Sequence, residues 1–366
     1  MVDGRIGKFI LCNEIKIYKM RIAHILWSMG TGGTENMVVD IASVQAENNE
    51  VCIFVINDWV EEYMLKKLNP KCKVELMGRK PGSKNPLPII KLNWKLWKFA
   101  PDILHLHSYR SVNCIKVCRN KPMVRTIHGL GNYSEEYPLY RKLISISKAV
   151  FDFTKNQGFD SLVIPNGIRV GLINHSSSEK FEDGKLHFIQ VSRLHIATKA
   201  QDVLIKALAK VKNAGVTNFQ MHFVGDGEDY GYLNDLCRKL DVTDLVTFEG
   251  RWEQQKIYSL LANYDLFIQP SRNEGFGLTI AEAMAAKVPV LVSDIPAPME
   301  VIDNGTLGMS FKNEDPSDCA EKLLSFIRNG KNQAQVEDAY QYVKSHYDVS
   351  VTAQKYLEVY ESIFKK

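Results

Sequence analysis

A chain of 366 residues is too long for one ordinary hydrophobic core, so two domains are expected. Hydrophobic residues make up 45% and charged residues 24%, as in a soluble globular protein, and no run of about 18 apolar residues signals a membrane-spanning helix. Charge is divided unevenly: 25 Lys and Arg against 15 Asp and Glu up to Val170, a net of +10, then 21 against 27 from Gly171 onward, a net of −6. A basic first half favours an anionic partner, a nucleic acid or a membrane surface.

In chain order, the opening "MVDGRIGKFILCNEIKIYKM" breaks its apolar patch with charge and lacks a small-residue cleavage site, so it is a poor signal peptide. The first nineteen residues read as an extension or as a product of start-codon choice. "RIAHILWS" is the first good strand. The turn after it carries Gly30, Gly32 and Gly33, half of a dinucleotide-binding fingerprint, but Glu35 stands where the third small residue belongs. That loop can still approach a phosphate or a sugar.

The strand "EVCIFVIN" comes next, and then "LPIIKLNWKLWKFAPD" reads as a helix. Lys91, Lys95 and Lys98 fall on one narrow face with Trp94 beside them, while Ile89, Leu92, Leu96, Trp97 and Phe99 fill most of the rest. A helix packed on its sheet with lysines in water is the favoured reading. An interfacial helix resting on anionic lipid is the alternative.

"ILHLHS", "MVRTIHG", "LISIS" and "SLVIPNG" continue the strand pattern. His105 and His107 share one strand face. A metal there would need His128 as third ligand, with no obvious carboxylate, so no metal is expected. His128, at a strand's end, is the preferred functional histidine. The seven cysteines form no pair of CxxC motifs and read as reduced thiols.

"RVGLINHSSSEKFEDGK" is a polar linker, after which "LHFIQVSRL", "FQMHFVGDG", "VTFEG", "DLFIQPS" and "PVLVSD" repeat the strand pattern with helices between. Such alternation indicates α/β domains with doubly wound parallel sheets. Arg193 follows a strand and Lys199 precedes a helix; two cations at such a turn can hold a diphosphate and stabilise charge developing on it. A solvated basic loop is the equal alternative for that pair taken alone.

In "SRNEGFGLTIAEAMAAKVPVLVSD", Glu274 precedes a Gly-Phe-Gly loop and Glu282 lies in the helix after it. The glycines let backbone approach a ligand, and the helix start offers free N–H groups to an anion. Carboxylates suit hydroxyl groups, so the set points to a phosphorylated sugar. Two solvated glutamates, or a glycosidase acid pair, are the other readings.

Taken together, these residues resemble the retaining glycosyltransferases of family 4, which have the GT-B fold. The resemblance runs from "HILWSMGTGGTE" to the last helix. It rests on the E-x7-E element from Glu274 to Glu282, on "SRLHIATK", "VIPNGI", "HLHS", "TIHG", "SISKAV" and "GDGED", and on their order. It implies two Rossmann-like domains facing across a cleft. Residues 1–170 would be the acceptor domain and 171–349 the donor domain, with a final helix of about 350–366 packing back on the first.

The resemblance also implies roles. Glu274 would contact donor-sugar hydroxyls and Glu282 the ribose. Arg193 and Lys199 would grip the diphosphate, aided by the amides of Gly275, Phe276, Gly277 and Leu278. The loop of Gly32 and Gly33 would close over the diphosphate, His128 would lie near the transferred sugar, and Arg251 and Trp252 near the base. The family pattern usually has Lys-Gly where this chain has Lys199-Ala200, a departure that would shift the helix start.

The implied activity is retaining transfer of a hexose or N-acetylhexosamine, with no cofactor and no metal. The donor would be a UDP-sugar, with GDP-mannose second, and the acceptor a glycan or lipid-linked molecule. An anionic membrane surface is a further partner and nucleic acid is not. The expected place is the cytoplasm, peripheral on the inner membrane face. A GT-B epimerase acting on free UDP-sugar is the competing reading; an NAD-dependent oxidoreductase is disfavoured by Glu35 and by the second sheet with its basic pair.

Overall fold

The computed structural model describes residues 19–131, 134–176 and 181–364. The first eighteen residues, residues 132 and 133, part of the polar linker and the last two residues lie outside this description. Two sheets organise the chain. The first contains β1 (Arg21–Leu26), β2 (Glu50–Asn57), β3 (Lys73–Arg79), β4 (Ile103–Leu106), β5 (Met123–Ile127), β6 (Lys142–Ser145) and β7 (Leu162–Val163). The second contains β8 (Leu186–Val191), β9 (Phe219–Val224), β10 (Val246–Gly250), β11 (Leu266–Gln269), β12 (Val290–Ser293) and β13 (Met309–Phe311).

Strand order is 3-2-1-4-5-6-7 in the first sheet and 10-9-8-11-12-13 in the second, and every pairing is parallel. Helices cover both faces of such sheets, so their central strands are continuously apolar. The inner residues Val51 to Ile56 of β2 and the whole of β4 are buried accordingly. Strand order reverses direction beside β1 and again beside β8, and ligands of doubly wound sheets bind at such switch points.

Two strands escape the sequence pattern. β3, "KVELMGR", lies at the sheet edge, mostly in contact with water, and its charges hide its alternation. β13 has three residues. The helix Leu87–Phe99 also departs from expectation. Only Leu92 and Leu96 are buried, while Trp97, counted among its packed residues, is 67% exposed. Lys95 pairs with Glu75 at 2.9 Å and Lys91 donates to the Leu76 carbonyl at 2.8 Å, so two of the three lysines hold the helix against β3.

The helix Val349–Phe364 crosses back to the first domain and packs on the helix Gly33–Gln45, burying Tyr356 and Tyr360 completely. Its entry is tied to the domain crossing: Ile168 N donates to Tyr347 O and Val349 N to Ile168 O, both at 2.8 Å. Gly167 is required there, since a Cβ would stand 2.7 Å from the Val349 Cα.

The two domains also meet through a buried ionic knot. Asp40, 2% exposed, accepts from Lys67 Nζ at 2.8 Å and from Arg169 Nε at 2.6 Å. Lys67 reaches on to Gln254 Oε1 of the second domain at 2.6 Å. Removing one partner of a buried ionic group strands the others without water. Asp40→Ala is therefore expected to lower unfolding free energy by about 3 kcal/mol, read from urea denaturation midpoints. Loss below about 1 kcal/mol would show that the knot is effectively solvated.

Candidate active site

Parallel strands carry their following turns at one edge of the sheet, and in both domains those turns line the cleft. After β1 comes the Gly30-to-Gly33 loop. Gly32 caps the helix Gly33–Gln45 in extended conformation, and its carbonyl accepts from Asn36 N at 3.0 Å. A Cβ on Gly33 would lie 3.1 Å from Leu278 Cδ1, so this loop rests on the helix Leu278–Ala285 of the other domain. Glu35 tucks under the loop, with Oε2 2.5 Å from where a Gly32 Cβ would stand, and burial raises its pKa.

After β11 comes the Gly-Phe-Gly loop. Gly277 has φ +108°, a backbone that only glycine adopts without strain. Phe276 anchors the loop by burying its ring edge-on against Tyr347. Gly275 faces the first domain: a Cβ would stand 2.8 Å from the His128 carbonyl oxygen, and the Gly275 carbonyl accepts from Ser147 Oγ at 2.7 Å. At Gly275 the second domain meets the backbone of the first, and at Gly33 the first meets the Leu278 side chain of the second.

The two glutamates are placed differently. Glu274 Oε2 accepts from Lys199 Nζ at 2.6 Å, with longer contacts from Gln269 and Ser271 at 3.4 Å. Glu274 Oε1 takes no hydrogen bond among the described residues. Glu282, 6% exposed, accepts from the Tyr258 hydroxyl at 3.1 Å and from Gln254 Nε2 at 3.4 Å. Burial outweighs those bonds and pushes its pKa up to about 7. Lys199, read as a diphosphate contact, and Glu274, read as a hydroxyl contact, are joined by an ion pair.

Lys199 ends a short helix, Ile196–Lys199, and Ala200 follows in the left-handed conformation at φ +50° and ψ +37° before the helix Gln201–Asn213 begins. A glycine takes that conformation freely, whereas alanine gives up roughly 1 kcal/mol. The Lys-Ala departure is therefore accommodated by strain at one residue. Arg193 is exposed, and its guanidinium makes no hydrogen bond or ion pair among the described residues. Arg251 bonds across the cleft to Thr31 Oγ1, while Trp252 stacks under Lys256 at 4.0 Å.

His128 lies against this site through its backbone, but its ring turns inward to His107 at 3.2 Å. The His105 and His107 rings lie tilted against each other at 4.0 Å between centroids, and the third member of their cluster is His24, not His128. Both nitrogens of His105 and both of His24 already have hydrogen-bond partners, so the cluster reads as a hydrogen-bonded group rather than a ligand set.

Sequence reasoning missed Gln254 and Tyr258, which hold Glu282, Lys67, which reaches Gln254 from the first domain, and Asp40, which holds Lys67. A carboxylate inside the apolar run "MVVDIA" was the available signal for Asp40, since buried carboxylates need partners.

Two family models cover adjoining parts of the chain: Glycosyltransferase Family 4 over residues 31–171 and Glycosyl transferases group 1 over residues 173–342. Among relatives, the chain is 25% identical over 249 residues to the uncharacterized glycosyltransferase MJ1178 of Methanocaldococcus jannaschii, a match spanning 62% of this chain and 66% of that protein. It is 26% identical over 284 residues to the phosphatidyl-myo-inositol mannosyltransferase of Mycobacterium leprae, covering 72% and 74%. Anabaena Alr3699/HepE, solved in complex with UDP and glucose, superimposes with a TM-score of 0.78 at 20% identity over 94% of this chain and 100% of that one. With its two parallel-sheet domains and both halves matched in order, the chain belongs to the GT-B glycosyltransferases of the family 4 type.

Proposed function

We propose that the protein is a retaining, metal-independent glycosyltransferase. It would move a hexose or N-acetylhexosamine from a nucleotide-sugar, with UDP as the first choice of nucleotide, to a glycan or lipid-linked acceptor. The observation that carries this reading is the joined pair of Lys199 and Glu274 at the start of the glycine-loop helix, with Glu282 buried one turn further in. The UDP and glucose bound by HepE and the lipid named in the mycobacterial relative support the choice of donor and acceptor.

In this reading the pair acts as one unit. An ammonium has three N–H donors, and Glu274 engages Lys199 with only one oxygen. The remaining donors face a diphosphate while Glu274 Oε1 accepts from a sugar hydroxyl. As the bond from sugar to diphosphate breaks, negative charge grows on the phosphate; Lys199, Arg193 and the amides at the helix start stabilise it. That cationic set supplies what a metal supplies elsewhere. The acceptor oxygen would attack from the departing diphosphate's face, without a covalent nucleophile.

The surface supports this reading of acceptor and place. Leu87, Ile90, Trp94 and Trp97 form one exposed stripe on the helix Leu87–Phe99, between 52% and 67% exposed, with Lys91 and Lys98 beside it. Their spacing of three and four residues puts them on one face. Aromatic and basic residues in that arrangement suit the interface of an anionic membrane. No helix among the described residues is long and apolar enough to cross one. The reading is of peripheral attachment at the inner, cytoplasmic face.

Three outcomes are expected. Arg193→Ala and Lys199→Ala should each slow transfer from a UDP-hexose about 100- to 1000-fold while the thermal midpoint stays within a few degrees; near-normal turnover in both would remove the diphosphate site. For pH, Glu282 loses its proton above about 7, and the ionised carboxylate is the stronger acceptor for ribose hydroxyls. The donor KM should then rise as pH falls from 8 to 6, by up to about tenfold per unit, whereas Glu282→Gln should be weak and pH-independent. A wild-type KM that does not change across this range contradicts the assignment. The protein should sediment with anionic but not neutral liposomes at low salt and release at high salt. Trp94→Ser with Trp97→Ser should abolish sedimentation; absence of wild-type binding would defeat the membrane reading.

A further inference from the structure

A row of imidazoles runs behind the cleft. Gln45 Oε1 lies 2.8 Å from His24 Nε2, His24 Nδ1 lies 3.0 Å from His107 Nε2, and His107 Nδ1 lies 3.2 Å from His128 Nε2. His24 and His107 are buried, and His128 Nδ1, the last nitrogen of the row, is buried with no partner among the described residues. The order arises from the sheet: His24 on β1 is in register with His105 on β4, and His128 follows β5.

Each contact between neutral rings needs one proton, and each ring brings one. The row can therefore be polarised in only two ways: toward Gln45, or away from it. Gln45 decides between them. Its carbonyl oxygen is the atom that faces His24, and a carbonyl only accepts, while its amide nitrogen is buried without a hydrogen-bond partner among the described residues. His24 must carry its proton on Nε2, which leaves Nδ1 to accept from His107 Nε2. His107 Nδ1 is left to accept from His128 Nε2, and His128 Nδ1 is left bare.

We propose that Gln45, His24 and His107 are positioning residues that hold His128 as the Nε2–H tautomer, keeping its Nδ1 lone pair for a hydroxyl of the transferred sugar. The proposal rests on the donor site described above, since Gly275 of the Gly-Phe-Gly loop packs on the His128 carbonyl. A lone pair draws the hydroxyl proton and leaves electron density on the sugar. That suits a ring gaining positive charge as its bond to the diphosphate breaks. An N–H in the same place would withdraw it.

Burial keeps the row uncharged: it lowers the pKa of His24 to about 4 and of His128 to about 3, the latter with help from the Arg125 charge. His107 is lowered further by its histidine neighbours.

The test is nitrogen-15 NMR of the whole protein with labelled histidine, the His128 signals being assigned by their loss in His128→Asn. The expected wild-type spectrum has His128 bare at Nδ1 and protonated at Nε2. His107→Phe should mix the tautomers and lower kcat with a UDP-hexose on the order of tenfold, the weight of one hydrogen bond, with UDP affinity unchanged. Gln45→Met, which leaves every ring in place, should mix them too and stands in if His107→Phe does not fold. A wild-type proton on Nδ1 overturns the proposal, as do variants that keep both tautomer and kcat. The tautomer reading needs no donor. If no nucleotide-sugar is turned over, the proposed function fails, while the spectrum still decides whether the row polarises His128.

Discussion

All the chemistry of this molecule depends on one geometric constraint, the parallel pairing of every strand in both sheets. Parallel strands need crossover helices, so each strand-to-helix turn falls at the same edge of its sheet. With two such sheets in one chain, the glycine loop after β1, the histidine turn after β5, the basic turn after β8 and the Gly-Phe-Gly loop after β11 converge without any of them being near another in sequence. Gly275 lets the opposing backbones approach, and Gly33 makes room for the Leu278 side chain. The fold therefore brings a helix N-terminus, two carboxylates and the Lys199 ammonium together as a consequence of topology.

Burial then differentiates side chains of the same type. Glu274, partly open to water and paired with Lys199, has an oxygen to spare for a hydroxyl. Glu282, eight residues on, is enclosed by Tyr258 and Gln254, and its proton is held to about pH 7. Gln254 is also the residue Lys67 reaches from the first domain, so the environment of Glu282 is set partly by the Asp40 knot. Gln254 thus links the domain contact to Glu282, and a shift of either domain would be felt at the carboxylate.

Much of this was legible in the sequence because its signals are local. Apolar runs between turn residues marked eleven of the thirteen strands among the described residues, and the Gly-Phe-Gly spacing marked the loop and helix that follow β11. What was missed depends on distance or on weak pattern. β3 is charged because its edge is wet, and β13 is too short to show a period. Asp40 meets Arg169 across 129 residues, a pairing no window reveals. His24 read as a strand residue, since its partners Gln45 and His107 come from a helix and another strand. Trp97 was placed on the packed face because helical spacing says which residues share a face, but not how wide the contact is.

The central claim is that a nucleotide-sugar lies between the two domains against the glycine loops. Amide hydrogen exchange with and without UDP, at saturating concentration, tests it most directly. The account predicts slower exchange in four separated segments: 30–36, 193–200, 250–254 and 274–285. Slowing that falls elsewhere, or no change in any of the four segments with UDP or with GDP, would contradict it.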